Sequence, residues 1–333
     1  MAIAYIILAH REPEQVARLV GRLSSSEDVV YVHVDRKSDL APFHEAFAAL
    51  PRPPVVLRGR VRVYWGGYGH IKATMLGIRA ALRSGLRFSH LVLLTGQDYP
   101  IRCTAEIQSF LAGAKGRSYI SWSAGTGREV HDSERPGNAV WLWSGEMWPL
   151  HWWHVSLGDR WWHLRPRVRR RIPRGLTPYQ GLAYWAITPE AAAYCLQTMR
   201  RRPTLRWFFN FVFIPDENLF QMLLLASPLR DTLVNEDLRF MNWDGYHPKT
   251  LRMDDLDSMR ASGKLFARKF DIDVDAAVLD DLDRGSTSSL PLQAGSTPEE
   301  GQVVEVPGGH TRTACYGVRH EDRHASRDAQ SER

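Results

Sequence analysis

Apolar residues near the start of the chain come in short continuous runs, separated by stretches where they recur at helical spacing. Ala2–Ala9 is apolar at almost every position, as expected of a strand buried on both faces. Val16, Leu19, Val20 and Leu23 then predict a helix. Val29–Val34 predicts a second strand, the stretch around Phe43–Leu50 a short helix, and Val55–Leu57 a third strand. Behind a loop at Tyr64–Gly69, Ile71, Met75, Ile78 and Leu82 share one helical face. His90–Thr95 predicts the next strand, and Thr104 can cap a helix carrying Ile107, Phe110 and Leu111. This alternation implies an α/β fold with a mostly parallel central sheet and helices on both faces. Ligands of such sheets bind outside the carboxyl ends of the strands. His10, Asp35 and Asp98 all fall at those ends.

The pattern loosens from Ser121 to Arg174. Seven tryptophans between Trp141 and Trp162 crowd this span, and Arg165–Arg174 is a basic run. Order returns at Gly181, where G-L-A-Y-W-A-I predicts a strand and Thr188 with Pro189 opens a helix. In F-I-P-D-E-N-L-F-Q, Pro215 can open another helix, with Asp216 and Glu217 in its first turn. Leu219, Phe220, Leu223 and Leu224 would bury one face of it. A carboxylate held on such an element can serve as a general base, although acidic first turns also occur simply as caps. Phe240–Lys249 reads as a polar, aromatic loop and Leu265–Phe270 as a short apolar and basic segment. Residues 1–283 are expected to form one domain. Residues 284–333, dominated by Ser, Gly, Pro, Thr and charges, are expected to be a disordered polar tail.

Composition narrows the function classes. At 333 residues, with 44% hydrophobic and 24% charged residues, the chain has ample material for a core. The net charge of +6 points to anionic partners. Three scattered cysteines supply neither a disulfide framework nor a zinc site, and suit a reducing, cytoplasmic setting. No apolar run reaches the ~18 residues of a membrane span. The Trp65–Gly69 glycines match neither a dinucleotide fingerprint nor a phosphate-binding P-loop. Asp271-Ile272-Asp273 could chelate a cation, but it lies late, without a strand leading to it from the first-half sheet, and reads as a solvated acidic turn. His151 and His154 lack a third ligand. The tryptophan cluster can be packing or a platform for ring faces of a ligand.

Taken in order, I-A-Y-I-I-L-A-H (3–10), V-H-V-D-R-K-S (32–38), Y-W-G-G-Y-G-H-I-K-A (64–73), L-L-T-G-Q-D-Y-P-I (93–101), G-L-A-Y-W-A-I-T-P-E (181–190), P-D-E-N-L-F-Q (215–221), H-P-K-T-L (247–251) and L-F-A-R-K-F-D (265–271) resemble the Core-2/I-branching glycosyltransferases, the family that includes the peptide O-xylosyltransferases. The resemblance implies a GT-A-like fold and an inverting, metal-independent enzyme. It would move N-acetylglucosamine or xylose from a UDP-sugar to a hydroxyl of a glycan or other acceptor, with no cofactor. It puts the general base on Glu217. Donor contacts fall on Leu8, Ala9, His10, Asp35, Arg36, Lys37 and Trp65, with Lys249 and Lys269 on the diphosphate. Trp243 and Asp98 fall on the acceptor side. Without a metal, cations must stabilise the departing diphosphate, which agrees with setting Asp271–Asp275 aside. The chain lacks the membrane anchor and cysteine set of the animal members. The basic run could touch an anionic membrane peripherally. A basic nucleic-acid-binding protein is the rival from another class, but it leaves the buried sheet and polar strand ends unexplained, so no nucleic acid is expected as a partner. A non-catalytic carbohydrate-binding protein on the same fold is the other rival.

Overall fold

The computed structural model describes residues 2–25, 27–124, 172–212, 214–244 and 247–285, and the backbone of 153–157 and 160–164. In chain order it runs β1 (Ala2–Ala9), α1 (Pro13–Leu23), β2 (Val29–Val34), α2 (Ala41–Ala48), β3 (Val55–Val56), α3 (Gly69–Arg83), β4 (Phe88–Thr95), β5 (Asp98–Pro100) and α4 (Thr104–Ala112). It continues with β6 (Ser118–Ile120), β7 (Ser123–Ala124), β8 (Trp153–Leu157), β9 (Arg160–Leu164), β10 (Tyr179–Gln180), β11 (Trp185–Ile187), α5 (Pro189–Arg201) and α6 (Pro203–Asn210). The last part holds α7 (Leu219–Leu225), β12 (Leu233–Val234), β13 (Arg239–Met241), β14 (Trp243–Asp244), β15 (His247–Pro248), α8 (Leu256–Ala261), β16 (Phe266–Arg268) and α9 (Ala276–Gly285).

The central sheet has seven strands in the order β12-β6-β11-β4-β1-β2-β3. β1 lies parallel to β2 and β4, whereas β11 runs antiparallel to β4 and β6. The expected α/β architecture with a mostly parallel sheet is therefore present. β1 shows why: Ile3, Tyr5, Ile7 and Ala9 point into one apolar cluster with α1 and α9, while Ala4, Ile6 and Leu8 point into another with α3, α5 and α7. A strand covered on both faces has no polar face to spare. A second sheet, β13-β16-β5, packs against the first cluster. Among the described residues no helix is long and apolar enough to cross a membrane.

The first and last helices are joined. Arg18 pairs with Asp280 (2.7 Å) and Asp283 (2.8 Å), and Arg22 with Asp283 (3.0 Å). Tyr99 also donates its hydroxyl to Asp283 (2.7 Å). Gln15 of α1 donates to the carbonyls of Gly96 (2.7 Å) and Phe270 (3.3 Å) and accepts from Ile272 N–H (2.7 Å).

Several expectations need correction. Thr104 is the first residue of α4 and not its cap; its hydroxyl donates to the carbonyl of Arg22, and Glu106 reaches back to Cys103 N–H instead. Asp98, read as falling at the carboxyl end of the His90–Thr95 strand, belongs to a strand of its own, because β16 pairs with Asp98–Pro100. Pro215–Glu217 forms a separate 3-10 turn, which Asn218 (φ −131°) breaks before α7 begins. Glu217 thus precedes the helix and is not in its first turn. Helix α9 continues through Arg284 and Gly285, past the expected boundary at 283. Asp271–Asp275 is a turn, as expected, and Asp275 accepts from Val278 N–H (3.2 Å) at the start of α9. The remainder of the tail, Trp141 to Trp152 and Arg165 to Arg171 lie outside the described residues.

Candidate functional site

The carboxyl ends of β1, β2 and β4 are laced together by backbone. Leu8 and Ala9 accept from Gly96 N–H (3.0 Å) and Asp35 N–H (2.8 Å). Asp35 is 3% exposed. Its carboxylate accepts from the N–H groups of Lys37 (2.9 Å) and Val63 (3.2 Å), with the Lys37 ammonium 3.6 Å away. Lys37 donates to the carbonyl of Val63 (2.6 Å) and lies 4.0 Å above the Tyr64 ring. Arg36 is exposed beside it. His33, buried in β2, accepts from Val61 N–H (3.0 Å); burial pushes its pKa down to about 4, which keeps it neutral and able to accept. His10 stands exposed at the end of β1. Its pKa is lowered by loss of water around the ring first and by Arg11 next, with Asp35, Lys37 and His70 also close enough to act on it.

Glu217 sits on a strained mount. Ile214 adopts φ 50°, a left-handed conformation that a β-branched residue before proline rarely takes. Its N–H donates to the carbonyl of Gly66 (2.9 Å), which ties the Trp65 loop to the Pro215–Glu217 turn. Such strain persists where surrounding contacts over-determine the backbone. The Glu217 carbonyl accepts from Gly181 N–H (2.9 Å), and Asn218 donates to the Tyr179 carbonyl (3.4 Å). Only glycine fits at 181: a Cβ there would lie 1.9 Å from the Ser121 carbonyl oxygen.

The Glu217 side chain lines a pocket of about 320 Å³ with Trp122, Gln180, Asp237 and Trp243. Burial, with a smaller contribution from Asp216, pushes its pKa up to about 8. Burial likewise raises Asp237, whose carboxylate accepts from Arg239 N–H (2.9 Å). Asp216 faces His70 at 3.9 Å, and its other carboxylate oxygen is buried with no hydrogen-bond partner among the described residues. His70, which acts electrostatically on His10, links the strand-end side of the cleft to the Glu217 side.

Behind the cleft lies a buried charge network. Asp98 is 0% exposed and accepts from Thr95 through both N–H and hydroxyl. Arg239 lies 3.3 Å and Arg268 3.6 Å from its other oxygen. The arginines sit 4.1 and 5.2 Å from the Tyr184 ring. With no solvent exposure, Asp98 does not face the cleft directly; it positions two arginines.

The structure thus gathers His10, Asp35, Arg36 and Lys37 at the strand ends, with Trp65 in the adjoining loop, 48% exposed. It places Glu217 and Trp243 in one pocket. Lys249 and Lys269 are joined through backbone: Lys269 N–H donates to the Lys249 carbonyl (3.5 Å), and Leu251 N–H donates to the Lys269 carbonyl (2.9 Å). Lys249 is 3.5 Å from Asp255, while Lys269 makes no ion pair among the described residues. Sequence reasoning missed Arg239, Arg268, Tyr184, Asp237 and His70. The two-residue period of β16 was the available signal, since F-A-R puts Arg268 on the Phe266 face. Among the described residues, no group of three His, Cys, Asp or Glu side chains is placed to hold a metal ion.

Residues 3–261 match the family described as Core-2/I-branching enzyme. The chain is 24% identical to xylosyltransferase 2 of Homo sapiens, over 87% of this chain and 34% of that protein. It is 23% identical to xylosyltransferase 1 of Rattus norvegicus and to the xylosyltransferase of Ciona intestinalis, over 84% of this chain in each case and 35% and 34% of those proteins. It spans about a third of the length of these relatives. Among solved structures, a 4-diphosphocytidyl-2C-methyl-D-erythritol synthase from Anaerococcus prevotii aligns with a TM-score of 0.30 at 13% identity, over 62% of this chain and 82% of that one.

Proposed function

Because the chain belongs to the Core-2/I-branching enzyme family, a family of glycosyltransferases, we propose that it moves a sugar from a UDP-sugar to an acceptor hydroxyl, with Glu217 as general base. The observation that carries this reading is the placement of Glu217. It is held at its backbone by Gly181, lines a pocket beside Trp243, and has its pKa raised to about 8. A carboxylate of ordinary acidity is a weak base at neutral pH; one near 8 is matched to removing a hydroxyl proton as the oxygen attacks. The acceptor proton passes to Glu217, the acceptor oxygen bonds to the sugar C1, and the C1–O bond to UDP breaks. Attack from the face opposite the leaving group inverts C1. The indole of Trp243, 37% exposed, offers a face on which an acceptor ring can stack.

The donor lies over the strand ends, with its nucleoside against Leu8, Ala9 and His10 and against Asp35, Arg36, Lys37 and Trp65. Its diphosphate meets Lys269 and Lys249. The names of the relatives favour xylose over N-acetylglucosamine as the transferred sugar. A GT-A arrangement and a cytoplasmic setting belong to this proposal. Thermal shift against UDP-xylose and UDP-N-acetylglucosamine, followed by assay of UDP release, tests the whole reading. Stabilisation by one of them together with UDP release is expected, and no response to any UDP-sugar would overturn it.

Two narrower results follow. Activity is expected to survive EDTA, because in this reading Lys249 and Lys269 neutralise the diphosphate in place of a metal. Loss with EDTA and restoration by manganese would refute this. Lys269→Ala is expected to weaken UDP binding by roughly 1.5–3 kcal/mol, the size of a charge-assisted hydrogen bond. Its melting temperature should hardly move, since the ammonium holds no ion pair among the described residues. Unchanged UDP affinity, measured by titration calorimetry, would show that Lys269 only packs.

A further inference from the structure

A second cavity, of about 680 Å³, lies on another part of the molecule, between α3 and the helices α5 and α6. Its size falls within the ~300–1,000 Å³ of ordinary ligand sites. Ile71, Met75 and Leu76 of α3 and Leu196 and Met199 of α5 form an apolar floor. Its rim carries Lys72, Arg79, Arg83, Arg200 and Arg206, all exposed. No carboxylate lines it among the described residues. Five like charges over an apolar trough repel one another and attract an anion. Just beyond Arg206, Trp207 is 61% exposed, the kind of amphipathic ring that settles at a membrane–water boundary.

We infer that this groove takes an anionic lipid, its acyl chain along the apolar floor and its phosphate among the rim arginines. Free phosphate would satisfy the rim and leave the floor wet. An uncharged chain would fill the floor and leave the cations uncompensated. A single amphiphile with both parts meets both demands. The geometry has a further effect. Helix α3 begins at Gly69 and His70, and His70 faces Asp216 in the cleft, so a lipid on the α3–α5 face would hold the catalytic opening close to the bilayer.

Co-sedimentation of the full chain with vesicles tests this. Binding is expected to phosphatidylcholine vesicles containing phosphatidylglycerol and not to phosphatidylcholine alone. The Arg79→Gln/Arg83→Gln double variant alters only exposed side chains. It should bind about thirtyfold more weakly, given the usual contribution of each cation near an anionic surface. Leu76→Gln should weaken binding severalfold with both arginines intact. Soluble lysophosphatidylglycerol, below its micelle concentration, should raise the melting temperature of the parent chain and not of Leu76→Gln. Equal binding by the arginine double variant would place any membrane contact elsewhere, as on the Arg165–Arg174 run, and overturn the inference. Loss with the arginine changes but none with Leu76→Gln would reduce it to adsorption by charge, and overturn the groove as the site.

Discussion

Replacing Glu217 with glutamine is expected to lower turnover by ~10²–10⁴ while leaving UDP-sugar binding nearly intact. Glutamine keeps the size of the side chain and most of its hydrogen bonding, and removes only the basicity. The pH dependence should carry the same signature. A general base works deprotonated, so kcat/KM should rise with pH through about 8, the value to which burial pushes Glu217. Stability should move the opposite way. The folded pKa, about 8, lies above the ordinary 4.5, so the folded state binds the proton more tightly than the unfolded chain. Stability is then greatest below pH 4.5 and falls as pH rises from there to about 8. Glu217→Gln abolishes that slope and should be more stable than the parent at pH 8.5, by on the order of a few kcal/mol. An inactive variant that is also more stable marks strain held for catalysis. Near-normal turnover would remove Glu217 from the mechanism.

Asp98→Ala is the second large effect, and it falls on stability. It strands Arg239, whose side chain is 1% exposed, without its counter-charge. Breaking a buried pair from one side costs roughly 3–5 kcal/mol, so the melting temperature should drop by on the order of 10 °C. The Asp98→Leu/Arg239→Met pair removes both charges and should recover much of the loss. Donor affinity should fall in Asp98→Ala as well, because Arg268, beside Lys269, loses its counter-charge. A normal melting temperature with a raised acceptor KM would mean instead that Asp98 meets the acceptor directly.

What the sequence made legible follows from how local each cause is. β1 and β2 were readable to the residue because strands covered on both faces leave a run that is apolar at nearly every position. Glu217 was singled out, but its element was misjudged: Pro215 and two acids look like a helix start, whereas Asn218 breaks the turn before α7 begins. Its raised pKa comes from burial, and the residues that share its pocket, Gln180–Leu182, Trp122 and Trp243, are distant in the chain, so no local pattern announces them. Asp98 was singled out as a polar strand end. Its burial depends on Arg239 and Arg268, brought to it by the pairing of β16 with β5 and β13. That pairing is long-range and left no trace in the spacing around Asp98.

The clasp between α1 and α9 bears on how the protein is made. The strand-end residues of β1 and β2 leave the ribosome first, and Lys269 follows more than two hundred residues later. Even then its segment is not secured. Gln15 must meet Phe270 and Ile272, and Arg18 and Arg22 must await Asp280 and Asp283, which lie beyond the last residue matched to the family. The nascent chain therefore cannot secure the Lys269 segment against β1 and β2 until α9 has emerged. A ribosome stalled before that helix would display the α1 arginines and the apolar face of α1 uncovered, in the form that chaperones hold.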